Sequence, residues 1–186
     1  MRLYALCDQS FLDSNSISID EYIEIAKSNS AEIIQYRNKS GDIDFIKSQL
    51  IKIRKMFNGF LIVNDKYELV PFCDGVHLGQ DDLREIDKDI FKAVKILRGV
   101  VGNDKIIGIS THNEKEILEA NDMDLNYIGL GAYRDTSTKK VDVVLGDKID
   151  KIASKSSHPV GVIGGVRKSD KFTNITYHVI GSGLVK

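Results

Sequence analysis

No stretch of this 186-residue chain stays apolar long enough to cross a bilayer. Its first residues, MRLYALCDQSF, reach Asp8 before a signal-like apolar region can develop, so a cytoplasmic location is expected. An excess of either charge is missing too. Lys and Arg total 26, Asp and Glu total 27, and the formal net charge is −1. That balance gives neither nucleic acid nor an anionic membrane an electrostatic reason to be a partner. Cysteine is scarce, and Cys7 and Cys73 have no metal-binding or redox spacing. Each lies in or beside an apolar run, which fits two buried thiols in a reducing compartment. No linker, low-complexity tract or internal repeat breaks the chain, so one domain over residues 1–186 is expected. No Ser-His-Asp or Cys-His arrangement stands out, which points away from covalent catalysis.

What is present centres on Leu61 to Asp82, LIVNDKYELVPFCDGVHLGQDD. It reads as a buried strand ending in Asn64-Asp65, a short helical link, and a second strand that runs into Gly79-Gln80-Asp81-Asp82. Parallel neighbouring strands would open both acidic loops on one side of the sheet. Carboxylates there suit a hard cation such as Mg²⁺, which prefers oxygen ligands and shares its shell with water and phosphate.

Eight apolar runs read as strands: Arg2–Cys7, Ala31–Gln35, Phe60–Val63, Gly75–Leu78, Lys105–Ile109, Tyr127–Leu130, Val160–Ile163 and Tyr177–Ile180. Helical spacing marks Ile19–Ala26, Asp42–Met56, Ile90–Leu97 and Glu114–Ala120, with an irregular helix in Val144–Ala153. Strands alternating with helices signal a parallel sheet, and eight of them predict a TIM (β/α)₈ barrel; a doubly wound sheet is the alternative. Only a short basic stretch, Arg167–Phe172, precedes the last strand, and no helical pattern follows it. The predicted barrel therefore has a shortened helix 7 and no helix 8. A wall left bare would expose apolar surface, so a second subunit is expected to cover it in a homodimer, unless the chain is truncated.

In such barrels the active site lies where strands end and helices begin. The residues just after the strands share a chemical character. Arg37, Lys39 and Lys139 are cations suited to phosphate oxygens, and Asp65 and Asp82 suit a divalent cation. Gly164-Gly165 and Gly181-Ser182-Gly183 follow the last two strands and offer backbone N–H groups where this architecture commonly binds phosphate. The site reads as one for two anionic groups, one of them metal-bound.

The bland readings weigh differently from residue to residue. Asp81 and Asp82 could be a solvated pair, but Asp65 at the end of the preceding strand favours a metal site for Asp82. Asp74 precedes its strand and should lie at the opposite end of the barrel. His77 continues an apolar strand and reads as a packed core histidine. Arg134 reads either as a further phosphate contact or as a solvated charge.

The sequence resembles the thiamine-phosphate synthase family and its relatives, which include thiazole tautomerase. The resemblance rests on IIQYRNKS, IVNDKYEL, DGVHLGQDDL, IIGISTHNEKE, YIGLGAYRDTSTKK, PVGVIGGV and VIGSGL, which occur in family order along nearly the whole chain. It implies a transferase that joins hydroxymethylpyrimidine diphosphate to a thiazole phosphate, releasing pyrophosphate, with Mg²⁺ as cofactor. It implies that Gln35, Arg37, Lys39, Asn64, Ser110 and Lys139 bind the pyrimidine diphosphate, with Ser110 and Lys139 catalytic. It further implies Asp65 and Asp82 as Mg²⁺ ligands, and Thr136, Thr138, Gly165, Gly181 and Ser182 around the thiazole phosphate. Two other readings compete: an isomerase of the tautomerase type, and an inactive relative that binds a thiamine precursor or a protein partner. Asp65, Asp82, Arg37 and Lys39 occurring together favour the synthase.

Overall fold

In a computed structural model of the chain, residues 2–135 and 143–185 are described. Eight parallel strands close into a barrel in chain order: β1 (Arg2–Asp8), β2 (Ala31–Arg37), β3 (Phe60–Asn64), β4 (Gly75–Leu78), β5 (Ile106–Thr111), β6 (Tyr127–Leu130), β7 (Val160–Val162) and β8 (Tyr177–Ile180). The barrel closes where β1 pairs with β8, in a register running from Arg2↔Tyr177 to Ala5↔Ile180. The TIM barrel expected from the sequence is the fold observed, and the doubly wound alternative is set aside.

The helices are α1 (Gln9–Ser14), α2 (Ile19–Ser28), α3 (Ile43–Met56), α4 (Gln80–Ile86), α5 (Ile90–Val101), α6 (Glu114–Ala120) and α7 (Ile149–Ala153). Short polar side chains start most of them by accepting from a free N–H of the first turn: Ser18 for α2, Asp42 for α3, Asp89 for α5 and Asn113 for α6. α3 turns Ile46, Leu50 and Ile53 onto the barrel, each at most 1% exposed. Burial of such side chains contributes about 1.5–3 kcal/mol apiece.

The core has two parts. A larger one lies between the barrel and its helices. A smaller one fills the barrel itself with Tyr4, Ile33, Ile62, Tyr127 and Val179. Cys7 and Cys73 are buried free thiols. Asp74 lies at the strand-start end, where its carboxylate pairs with Arg54 and accepts from the Leu61 N–H at 2.7 Å.

Three sequence expectations are corrected. α1 occupies a stretch to which the sequence reading assigns no element, and α4 one read as an acidic loop, so Asp82 sits in the first turn of a helix. The shortened helix expected between β7 and β8 is absent, and residues 163–176 form turns instead. The bare wall is absent too. The outward residues Val160, Val162, His178 and Ile180 are all buried within this one chain. The segment after β7 folds back over them, with the Phe172 ring 5.2 Å from His178 and 5.1 Å from Tyr133. Ile175 and the turn Ser182–Leu184 extend this cover. The expected need for a second subunit over this wall therefore lapses.

An ion pair holds that segment down. Arg134 donates to both carboxylate oxygens of Asp170, at 2.7 and 2.8 Å, and to the Gly165 carbonyl at 2.8 Å. It is neither a solvated charge nor a free phosphate contact. Hydrogen bonding from Arg134 keeps the Asp170 carboxyl below the usual carboxylate range. The stabilisation is therefore present above the unfolded pKa of about 3.9 and is lost as pH falls through the lower folded value. Asp170→Asn is expected to cost about 1 kcal/mol at pH 7, or about 2–4 °C in Tm. The variant should also show a shallower loss of stability below about pH 4. Thermal melts across that range check it, and a variant with the parent's acid profile would contradict it.

Candidate active site

The strand ends surround one cleft of about 450 Å³. All the described candidates line it: Gln35, Arg37, Lys39, Asn64, Asp65, Asp82, Ser110, Gly165, Gly181 and Ser182. Thr136, Thr138 and Lys139 lie outside the described residues.

The acidic side of the cleft is built from two strand ends. Asp65 follows β3 with φ at 64°, a left-handed conformation in which an aspartate is among the better tolerated residues. Its N–H donates to the His77 carbonyl at 2.9 Å, which ties it to the neighbouring strand. Asp82 stands in the first turn of α4 and accepts from the Gly79 N–H at 3.1 Å, so the helix cap orients its carboxylate. Burial, and then the negative charge of Asp82, push the Asp65 carboxyl up, while Lys39 Nζ, 3.4 Å away, opposes this. Two carboxylates that resist being ionised together are a donor set a cation would relieve. Among the described residues no group of three or more His, Cys, Asp or Glu could hold a metal. Two carboxylates fit Mg²⁺, which completes its shell with water and phosphate, better than an ion needing a full protein cage.

The cationic side has a partner that the sequence reading missed. Arg37 pairs with Asp8, whose carboxylate is almost fully buried at the end of β1. Burial pushes that carboxyl up, but hydrogen bonds from Ser10, Arg37 and the Phe11 N–H outweigh it and hold it low. Asp8 thus fixes the guanidinium at the rim. The strand-end rule, applied to β1 as well, finds it.

On the far side, Gly164 and Gly165 both have positive φ, 90° and 62°. A Cβ on Gly165 would stand 2.8 Å from the Arg134 Cβ, so conformation and space both require glycine there.

Below the cleft lies a chain of hydrogen bonds. Gln35 Nε2 donates to Tyr4 Oη at 2.6 Å, and Tyr4 Oη lies 2.8 Å from Tyr127 Oη. Tyr127 Oη is 2.9 Å from His77 Nδ1, and His77 Nε2 is 3.0 Å from Ser110 Oγ. Burial pushes the His77 imidazole down to about 4, against the pull of Asp82, so the ring is neutral at ordinary pH. His77 is hydrogen-bonded and buried, as read from the sequence, but it also lines the cleft. The two tyrosines were missed as polar groups because each sits in an apolar strand.

Gly108 makes room for this arrangement: a Cβ there would stand 2.1 Å from Tyr127 Cζ. Gly108→Ala is expected to displace that ring and cost about 1–3 kcal/mol. Denaturant unfolding checks this, and a change under 0.5 kcal/mol would show that the strand gives way at little cost.

Comparison with known proteins gives the family from two directions and the fold from a third. The family model described as thiamine monophosphate synthase matches residues 3–181. The thiamine-phosphate synthase of Persephonella marina is 34% identical, covering 91% of this chain and 79% of that protein. That of Clostridium novyi is 32% identical over 99% of this chain and 88% of that protein. Among solved structures, the thiamine phosphate pyrophosphorylase of Pyrococcus furiosus superposes with a TM-score of 0.74 at 22% identity, covering 97% of this chain and 85% of that one, which supports the fold. The chain belongs to the thiamine monophosphate synthase family.

Proposed function

We propose that the protein is a thiamine-phosphate synthase, a transferase that joins hydroxymethylpyrimidine diphosphate and a thiazole phosphate. The observation that carries this reading is the convergence of Asp65 and Asp82 with Arg37 and Lys39 in a single cleft, where Lys39 Nζ stands 3.4 Å from the Asp65 carboxylate. An isomerisation has no diphosphate to discharge and does not call for that set.

In this reading Arg37 and Lys39 hold the diphosphate oxygens, and the resemblance assigns Lys139 to the same ligand. Asp65 and Asp82 would hold Mg²⁺, whose charge offsets that of the departing pyrophosphate. Gln35, Asn64 and Ser110 hold the pyrimidine ring. The C–O bond to the diphosphate breaks with its electron pair leaving on pyrophosphate, and the thiazole nitrogen supplies the pair for the new C–N bond. No protein nucleophile is required. Gly165, Gly181 and Ser182, with Thr136 and Thr138, hold the thiazole phosphate through N–H and O–H donors. The cytoplasmic setting belongs to the same proposal; no helix among the described residues is long and apolar enough to cross a membrane. A homodimer would use a surface other than the β7–β8 wall, which the chain covers itself.

Incubation with both phosphorylated precursors and Mg²⁺ is expected to give thiamine phosphate and pyrophosphate in equal amounts. Folded protein that forms neither would refute the transferase reading. Isomerisation of a thiazole carboxylate phosphate, without any pyrimidine, would replace it with the tautomerase reading.

A further inference from the structure

The buried groups beneath the cleft have a property that none of them has alone. Every hydroxyl in the chain from Gln35 to Ser110 has one proton to donate, and the partners in reach limit where it goes. Tyr4 Oη already receives the Gln35 amide N–H, so its own proton goes to Tyr127 Oη. Tyr127 Oη receives from Tyr4 and also has the Gln35 amide N–H in reach, so the acceptor left for its own proton is His77 Nδ1. His77 consequently carries its proton on Nε2 and donates to Ser110 Oγ. Two things are left over at the ends: the carbonyl oxygen of Gln35, an acceptor, and the hydroxyl proton of Ser110, a donor. Both residues line the cleft, whereas Tyr4 and Tyr127 are 1% and 4% exposed and do not.

We propose that Tyr4 and Tyr127 are specificity-determining positioning residues, forming with His77 a relay that locks Gln35 as acceptor and Ser110 as donor, so that the cleft takes an aminopyrimidine edge. The inference rests on the pyrimidine-binding reading of the site. An exocyclic amino group donates to Gln35, and the adjacent ring nitrogen accepts from Ser110. The oxo analogue presents the reverse edge, a carbonyl beside a ring N–H. It would need the whole relay to run backwards, with the Gln35 amide turned over and every proton shifted by one position. The ends are coupled because a buried hydroxyl or imidazole without its partner is costly.

Removing the Tyr127 hydroxyl uncouples them. Tyr4 then has only the Gln35 amide as partner and can turn it over, while His77 no longer has an obligatory tautomer. Tyr127→Phe and Tyr4→Phe keep the ring volume and remove one relay atom each.

The test is the ratio of Kd values for the amino and oxo forms of the hydroxymethylpyrimidine, measured by calorimetry on the full chain. Wild type is expected to prefer the amino form by about a hundredfold, and each Phe variant by about tenfold or less. Far-UV circular dichroism confirms that the variants are folded, and either variant alone suffices if the other is not. A purely structural role would weaken both ligands alike and leave the ratio unchanged, which would overturn the relay while leaving the pyrimidine site standing. Wild-type protein that binds neither form would overturn both.

Discussion

Asp82→Asn is expected to lower turnover about a thousandfold and leave the fold intact, a loss of about 4 kcal/mol in transition-state stabilisation. The size follows from what the carboxylate faces. Asp82 lies beside Asp65, whose carboxyl is pushed up by burial and by that neighbouring charge. A cation bound between them would offset the charge that collects on departing pyrophosphate, and the amide would halve the anionic ligand set. The choice of substitution matters because Asp82 also accepts from the Gly79 N–H at the start of α4. Asn keeps an acceptor there. Asp82→Ala would remove it and add about 0.5–2 kcal/mol of destabilisation to any loss of activity. Activity within tenfold of wild type in Asp82→Asn would contradict the metal assignment.

Arg37→Met is expected to fail in two separable ways. The first is binding. A guanidinium contact to diphosphate is worth about 1.5–3 kcal/mol, so KM for the pyrimidine diphosphate should rise roughly ten- to hundredfold. The second is stability. Asp8 is 4% exposed and would lose its partner while keeping the Ser10 hydroxyl and the Phe11 N–H. A buried carboxylate stripped of its cation typically costs 3–5 kcal/mol; the two remaining donors reduce this to about 1–3. Combining Arg37→Met with Asp8→Asn removes the orphaned charge and is expected to restore most of the stability but not the KM. Parallel denaturant melts and kinetics separate the two effects. An unchanged KM in Arg37→Met would show that Arg37 serves only Asp8.

The barrel was legible because its strands are short apolar runs with polar ends, and because the polar ends repeat eight times in chain order. The cleft was legible for the same reason, since Gln35, Asp65, Asp82 and Ser110 all follow that rule. α1 and α4 were not, because each begins within two residues of a strand end and its polar first turn, Gln9-Ser10 or Gln80-Asp81-Asp82, reads as strand-end loop. The cover over β7 and β8 was not legible either. Phe172 and Ile175 have no periodicity, and their anchor, Arg134, pairs with a residue 36 positions away. Such a contact leaves no local signal. Tyr4 and Tyr127 are 123 positions apart and meet only inside the closed barrel. Their hydroxyls became visible as a network only once the register placed both strands.

The diphosphate clamp is tested most directly by titrating hydroxymethylpyrimidine diphosphate into the protein calorimetrically, with Mg²⁺ and then with a chelator. Wild-type protein is expected to bind at least about tenfold more tightly with Mg²⁺, and Asp65→Asn and Asp82→Asn should lose that gain. Equal affinity with and without Mg²⁺, in protein that is folded and binds the ligand, would contradict the clamp formed by Asp65, Asp82, Arg37 and Lys39.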